Sequence, residues 1–325
     1  MKALIHPEFG NPAQVLTVEE IPTPQPGRGE VRVRLTLSPI HNHDLLTVSG
    51  DYGFTPELPA PAGTEAVGVV DALGEGVTHL EVGQRVAVGG VFGVWAEQFV
   101  ANAAALIPMP DSIPDEAAAQ LIAMPFSAIS LLDSLDLAAG DWMIQNAANG
   151  AVGRLVAQLA GARGINVVGL VRREAGIAEL AAQGIERIVA TDTDGWQERV
   201  AALTGGAPLK VGIDSVGGQA SGDVLSQLAE NGTLVIFGAM ASPTMEIGSG
   251  DVIFKQATIR GFWGSKVSAA MSDADRGRLM GELLARLSDG TITLPVEATV
   301  AFADIADAVR AHYTPGRAGK VMLKP

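Results

Sequence analysis

Cysteine is absent from the 325 residues. Disulfides, thiolate zinc sites, iron–sulfur clusters and a cysteine nucleophile are thereby excluded, and the chain is compatible with a reducing compartment. Positive charge is scarce: 22 Lys and Arg stand against 36 Asp and Glu, a formal charge of −14. Such a chain is poorly suited to tracking a phosphate backbone or an anionic bilayer, so neither nucleic acid nor membrane is expected as a partner. Long apolar runs are missing as well. The longest uncharged stretch in the middle of the chain, Ala117–Leu132, is 16 residues and carries Pro125. A spanning helix needs about 20 apolar residues. The opening MKALIHPEFG has no apolar core of secretory length, which makes a cytoplasmic protein the expectation. Tyrosine occurs only as Tyr52 and Tyr313, so any phenol chemistry falls to one of two residues.

What is present is ordinary globular material. Hydrophobic residues at 47% and charged residues at 18% exclude intrinsic disorder. At about 100–200 residues per domain the length suits two domains. The first third reads as β structure. Val31, Val33, Leu35 and Leu37 alternate with Arg32, Arg34 and Thr36, the period of a half-buried strand. Residues 63–74 and 83–90 read as further strands bounded by glycine turns. Beyond Ile107–Pro110 the texture changes to strands alternating with helices. Trp142–Gln145 is an expected strand. Val152, Leu155, Val156 and Leu159 follow on one helix face, with Gly164 at the C-terminal cap. Strands are expected over 165–171, 188–189, 211–214 and 234–237, and helices over 175–183, 196–204, 224–229 and 273–288. Residues 296–325 return to strand, helix, strand. This alternation predicts an α/β chain with a doubly wound parallel sheet covered by helices. The expected domains are 1–115 and 293–325, folding together, around an inserted 116–292.

The turn Ala148-Asn149-Gly150-Ala151-Val152-Gly153 lies between an expected strand and an expected helix. Against a dinucleotide fingerprint it has Ala148 in place of the first glycine. Gly150 allows close approach of a pyrophosphate, Gly153 allows the helix to pack on the strand, and the helix N-terminus meets the negative charge. A glycine turn that merely packs a helix on a sheet has the same residues; the flanking strand and amphipathic helix favour the phosphate site. At the end of the next strand, where a carboxylate would select NAD, stand Arg172 and Arg173. Guanidinium groups pair with a 2′-phosphate, so NADPH is the expected cofactor; solvated surface charge is the alternative.

With these residues placed, the chain resembles the medium-chain dehydrogenase/reductase superfamily, in its zinc-independent branch and closest to trans-2-enoyl-thioester reductases. The resemblance rests on SGDYGFTPELPA, IQNAANGAVG, SVGG, FGAM, IFKQATIRGFW and GKVML, in that order along the chain. It implies a GroES-like β-rich catalytic domain around a Rossmann domain, and a homodimer. It implies Tyr52 as the proton donor and Asn149, Gly150, Ala151 and Val152 at the pyrophosphate. Phe237, Gly238 and Met240 would lie beside the nicotinamide ribose, and Phe262, Trp263 and Lys320 in the cofactor and active-site wall. Two departures bear on substrate rather than fold. His41-Asn42-His43-Asp44 stands where Asn-Pro-Ser-Asp is common, and Met124 stands where an Asn precedes a Pro.

Zinc-dependent relatives draw a Cys from the segment matching His41–Asp44 and a His where this chain has Thr64, before Glu65. His41, His43, Asp44 and Glu65 are ligand types, yet a local polar cluster is the simpler reading, and no metal ligand is expected. The chemistry that remains is reduction of an activated C=C bond: hydride to the β-carbon, charge on the carbonyl oxygen, a proton to the α-carbon. A phenol, with an ordinary pKa of ~10, holds its proton at neutral pH and can give it. The expected substrate is a small molecule: an enoyl thioester, an enone or a quinone. The alternatives are a zinc-type alcohol dehydrogenase with unusual ligands and an NADPH-binding protein without turnover.

Overall fold

The computed structural model describes residues 1–325. Two compact units result, Met1–Ala123 with Leu294–Pro325, and Met124–Thr293. No helix is long and apolar enough to cross a membrane.

The strands in chain order are β1 (Lys2–His6), β2 (Thr17–Glu20), β3 (Glu30–Pro39), β4 (Ala60–Pro61), β5 (Glu65–Leu73), β6 (Arg85–Gly89), β7 (Gln98–Asn102), β8 (Ile107–Pro108), β9 (Trp142–Gln145), β10 (Asn166–Val171), β11 (Ile188–Ala190), β12 (Leu209–Asp214), β13 (Thr233–Ile236), β14 (Thr258–Gly261), β15 (Val296–Ala301) and β16 (Lys320–Lys324).

In the first unit a seven-stranded sheet runs β15-β16-β3-β5-β6-β8, with β7 also paired to β3. β15 and β16 are parallel; the remaining pairs are antiparallel. The alternation in β3 puts Val31, Val33 and Leu35 into one core with Trp95, Phe99 and Val321. Trp95 is fully buried, and its Nε1 donates to Ser38 Oγ at 2.9 Å, which donates to the Glu65 carbonyl. Gly63 packs against that indole. Its φ is +87°, and a Cβ there would lie 2.2 Å from Trp95 Cδ1. No other residue type suits the position, and it sets the start of Thr64-Glu65. The first third reads as β structure in the sequence, but Asn42–Ser49 is a helix. It buries Leu45 and Val48, and Asp44 Oδ2 accepts the His41 backbone N–H at 2.9 Å to close its first turn.

In the second unit six strands, all parallel, run β11-β10-β9-β12-β13-β14. Counted from β9, that order is three-two-one-four-five-six, the doubly wound arrangement. Its core joins Ile144, Val168, Val200, Val224 and Leu234 from strands and covering helices. The helix expected near 224–229 spans Gln219–Gln227 instead. Gly217 and Gly218, both at positive φ, turn the chain into it five residues early, and the chain is already extended at Leu228.

Candidate active site

Tyr52 follows the Asn42–Ser49 helix directly. Gly50 ends the helix in the left-handed conformation, and the Asp51 and Tyr52 backbone N–H groups both donate to the Leu46 carbonyl, at 2.9 and 3.1 Å. Tyr52 is thus half-buried at a fixed point, while His43 projects from the first turn of the same helix. Their ring centroids are 5.8 Å apart, and the His43 ring stacks on His41 at 4.9 Å.

Behind them lies a buried chain of charge. Glu65 Oε1 accepts from the Ile122 and Ala123 backbone N–H groups at 2.5 and 2.8 Å, which ties residues 122–123 to the first unit. Its Oε2 lies 2.6 Å from His41 Nε2, and His41 Nδ1 lies 3.0 Å from Lys320 Nζ. Desolvation by burial pushes the Glu65 carboxyl up and the Lys320 ammonium down. Two proton arrangements satisfy every contact. In one, an ammonium donates to Nδ1 and Nε2–H donates to a carboxylate. In the other, a carboxylic acid donates to Nε2 and Nδ1–H donates to a neutral amine. His41 is neutral in both, and burial and Lys320 hold its pKa well below 6.5.

The second unit places its expected residues at the carboxyl ends of its strands. Gly150 begins the Ala151–Ala162 helix, and no side chain caps it, so the first-turn N–H groups of Ala151 and Val152 are open to an anion. A Cβ on Gly153 would lie 2.6 Å from the Ala147 carbonyl oxygen and 2.8 Å from Ala148 Cα, so the tight turn needs glycine there. Gln145 Nε2 donates to the Gly153 carbonyl at 2.7 Å, locking helix to strand. These features fit a dinucleotide phosphate. Arg172 and Arg173 follow β10, exposed and in no ion pair. Phe237 and Phe262, after β13 and β14, stack with centroids 5.8 Å apart. Gly238 lies beside Ser215, Met240 is exposed, and Trp263 is half exposed beneath Lys266 Nζ.

A hub absent from the expected site residues joins β9 to β12 where the strand order reverses. Asp214 is fully buried. Its Oδ1 accepts from Asn146 Nδ2 at 2.6 Å and from the Val216 and Gly217 backbone N–H groups, and its Oδ2 accepts from Ser221 Oγ. Asn146 Oδ1 accepts from the Ser215 N–H. A polar residue closing each of two apolar strands was the available signal. For the pairing of His41 with Lys320, 279 residues apart, there was none.

Residues 27–111 match the family described as "Alcohol dehydrogenase GroES-like domain", and residues 151–276 match "Zinc-binding dehydrogenase". The chain is similar to the human "Enoyl-[acyl-carrier-protein] reductase, mitochondrial", 32% identical over 99% of this chain and 88% of that one. Among solved structures it is similar to a Pseudomonas syringae quinone oxidoreductase, with TM-score 0.87, 29% identity and complete coverage of both chains (100% each). A mycobacterial protein complexed with NADPH has TM-score 0.85 at 28% identity, with 100% of both chains covered. A zinc ion does not fit the residues present. Lys320 occupies His41 Nδ1, Glu65 occupies Nε2, Thr64 stands in the histidine position, and no three His, Asp or Glu side chains are grouped to hold a metal.

Proposed function

This chain belongs to the medium-chain dehydrogenase/reductase superfamily and is an oxidoreductase that binds a nicotinamide cofactor, and from that premise we propose that it is an NADPH-dependent reductase of an activated C=C bond. The substrate class is a 2-enoyl thioester or an α,β-unsaturated carbonyl. The observation that carries the reading is the placement of Tyr52: its backbone N–H is held by the Leu46 carbonyl at the end of the helix that also carries His43, whose ring lies beside the phenol. Similarity to an enoyl reductase along nearly the whole chain supports the same reading.

The bound cofactor supplies hydride chemistry at the substrate β-carbon. Tyr52 holds a proton at Oη and delivers it to the α-carbon, discharging the enolate as the β-carbon is reduced. Ala151 and Val152 N–H, beside Asn149 and Gly150, hold the pyrophosphate, with Gly153 keeping the helix close. Arg172 and Arg173 select the 2′-phosphate. Phe237, Gly238, Met240, Phe262 and Trp263 form the wall for the nicotinamide end, and Lys320 serves the site through His41. A homodimer belongs to this reading, supported by the free edge of β14 and by exposed Ile253 and Phe254 on the helix leading into it.

The test is NADPH consumption with crotonyl-CoA, a simple enone and a quinone in parallel. The reading expects turnover of at least one conjugated carbonyl, and expects Tyr52→Phe to keep NADPH binding while turnover drops by about a hundredfold. Turnover of the quinone alone would favour the second reading, a quinone reductase, which the similarity to the Pseudomonas syringae protein supports. Unchanged turnover in Tyr52→Phe would remove the phenol from the mechanism.

A further inference from the structure

His41–Asp44 opens the Asn42–Ser49 helix, and the proposed function gives His43 no task. Its hydrogen bonds define one. Asp44 is buried and accepts at both oxygens: Oδ2 from the His41 backbone N–H at 2.9 Å, Oδ1 from Thr64 Oγ1 at 2.6 Å. The Thr64 hydroxyl has a single hydrogen, and Asp44 takes it. His43 Nε2, 2.7 Å from the same oxygen, must therefore be the donor. Neutral His43 then carries its proton on Nε2 and its lone pair on Nδ1. The side chain is 22% exposed, so part of it meets solvent. The Tyr52 ring is a second aromatic neighbour, its centroid 5.8 Å from that of His43.

We propose that His43 returns the proton to Tyr52 between turnovers, accepting it at Nδ1 from a solvent acid and passing it to the Tyr52 phenoxide. This rests on Tyr52 being the proton donor. The balance is one proton per cycle. A buffer acid loses H⁺ to Nδ1, forming an imidazolium; Nδ1–H gives it to Oη; the phenol and the neutral imidazole are both restored. The groups facing His43 suit a transient charge. Asp44, reached through Thr64 and 3.6 Å away directly, stabilises the imidazolium. Lys320 and burial oppose it, while stacked His41 is neutral and close by. His43 thus rests neutral and is a ready acid when protonated. It acts through Tyr52 and is a positioning and relay residue.

Two measurements test this. The first needs no substrate: ¹⁵N NMR at neutral pH should show His43 as the Nε2–H tautomer, with that preference lost in Thr64→Val. An Nδ1–H tautomer overturns the proposal. The second is kinetic. His43→Ala should lower kcat about tenfold or more with the KM for NADPH unchanged, make kcat depend on buffer-acid concentration, and regain rate with added imidazole. A role in packing alone would show neither buffer dependence nor rescue. Full activity in His43→Ala beside a dead Tyr52→Phe overturns the relay only, whereas full activity in Tyr52→Phe removes the reading beneath it. If His43→Ala fails to fold, the tautomer measurement and Thr64→Val decide.

Discussion

Each unit holds one buried polar corner, and the two are built on opposite principles. In the second unit, Asp214 is one carboxylate surrounded by neutral donors: an amide, a hydroxyl and two backbone N–H groups. In the first, Glu65 faces Lys320 across an imidazole, so each bond fixes the proton positions of the next. The first kind of corner tolerates a local change, because a hydroxyl rotates. The second transmits it, because donors and acceptors alternate along a line between two titratable groups.

The same chemical change separates them most sharply. In Glu65→Gln the amide oxygen must keep the Ile122 and Ala123 N–H groups, so the amide nitrogen faces His41 Nε2. His41 must then carry its proton on Nδ1, against Lys320, which has to shed its own. With the pair ionised, the expected loss is about 3–5 kcal/mol at pH 7 by denaturant unfolding; no loss would assign the neutral arrangement. In Asp214→Asn the oxygen keeps its three donors and the new amide donates to Ser221 Oγ, whose hydroxyl turns aside. The expected loss is about 1 kcal/mol. Equal losses would erase the distinction.

Proton count sharpens the comparison next. Between the ordinary values of 4.5 for Glu and 10.5 for Lys, the unfolded pair holds one proton. Either native arrangement also holds one, so around pH 8, where burial brings both groups, the wild-type pair adds no slope to stability against pH. In Glu65→Gln, folding expels the Lys320 proton. The unfolded chain then binds one more proton than the native one, and stability rises with pH by about 1.4 kcal/mol per unit. Raising pH from 7 to 9 should recover about 2.7 kcal/mol of the loss in that variant. Asp214→Asn should show no such recovery.

His312 extends the first corner toward acid. Its Nε2 donates to Asn42 Oδ1 at 2.7 Å, and its buried Nδ1 has no partner. Burial, with Arg317 and Lys320 nearby, lowers its pKa to about 3. A base with a depressed folded value stabilises fully above its unfolded value of 6.5, and that contribution drains away as pH falls toward 3. At pH 5 the cost is about 2 kcal/mol. His312→Gln keeps a donor for Asn42 and should make unfolding take up about one proton fewer between pH 6 and 4.

The parallel sheet was legible because its strands are short apolar runs separated by periodic helices, a pattern written locally in residues 142–237. The glycine turn was legible for the same reason. The Asn42–Ser49 helix was not. Leu45 and Val48 give too little period, and its closing residues, His41 and Asp44, read as ligand types rather than a cap. The corners were illegible for a deeper reason. His41 meets Lys320 through sheet pairing of β16 with β3, and a contact between strands so distant in sequence leaves no mark near either residue. Tyr52 and His43 were each visible, but their approach depends on that unanticipated helix.

The smallest effect on folding is expected where the chain is most open. Arg172 and Arg173 are exposed and unpaired, so replacing both with Ala should change stability by less than about 0.5 kcal/mol. Binding is where the loss should appear. Two guanidinium groups that select a 2′-phosphate act on NADPH and leave NADH untouched, so the KM for NADPH should rise about tenfold while that for NADH stays within about twofold. A variant that weakens both cofactors equally would make these arginines general surface charge. One that loses stability would mean that the exposed end of β10 shares the interdependence of the buried corners, and the division between residues that hold the fold and residues that read the ligand would fail in this unit.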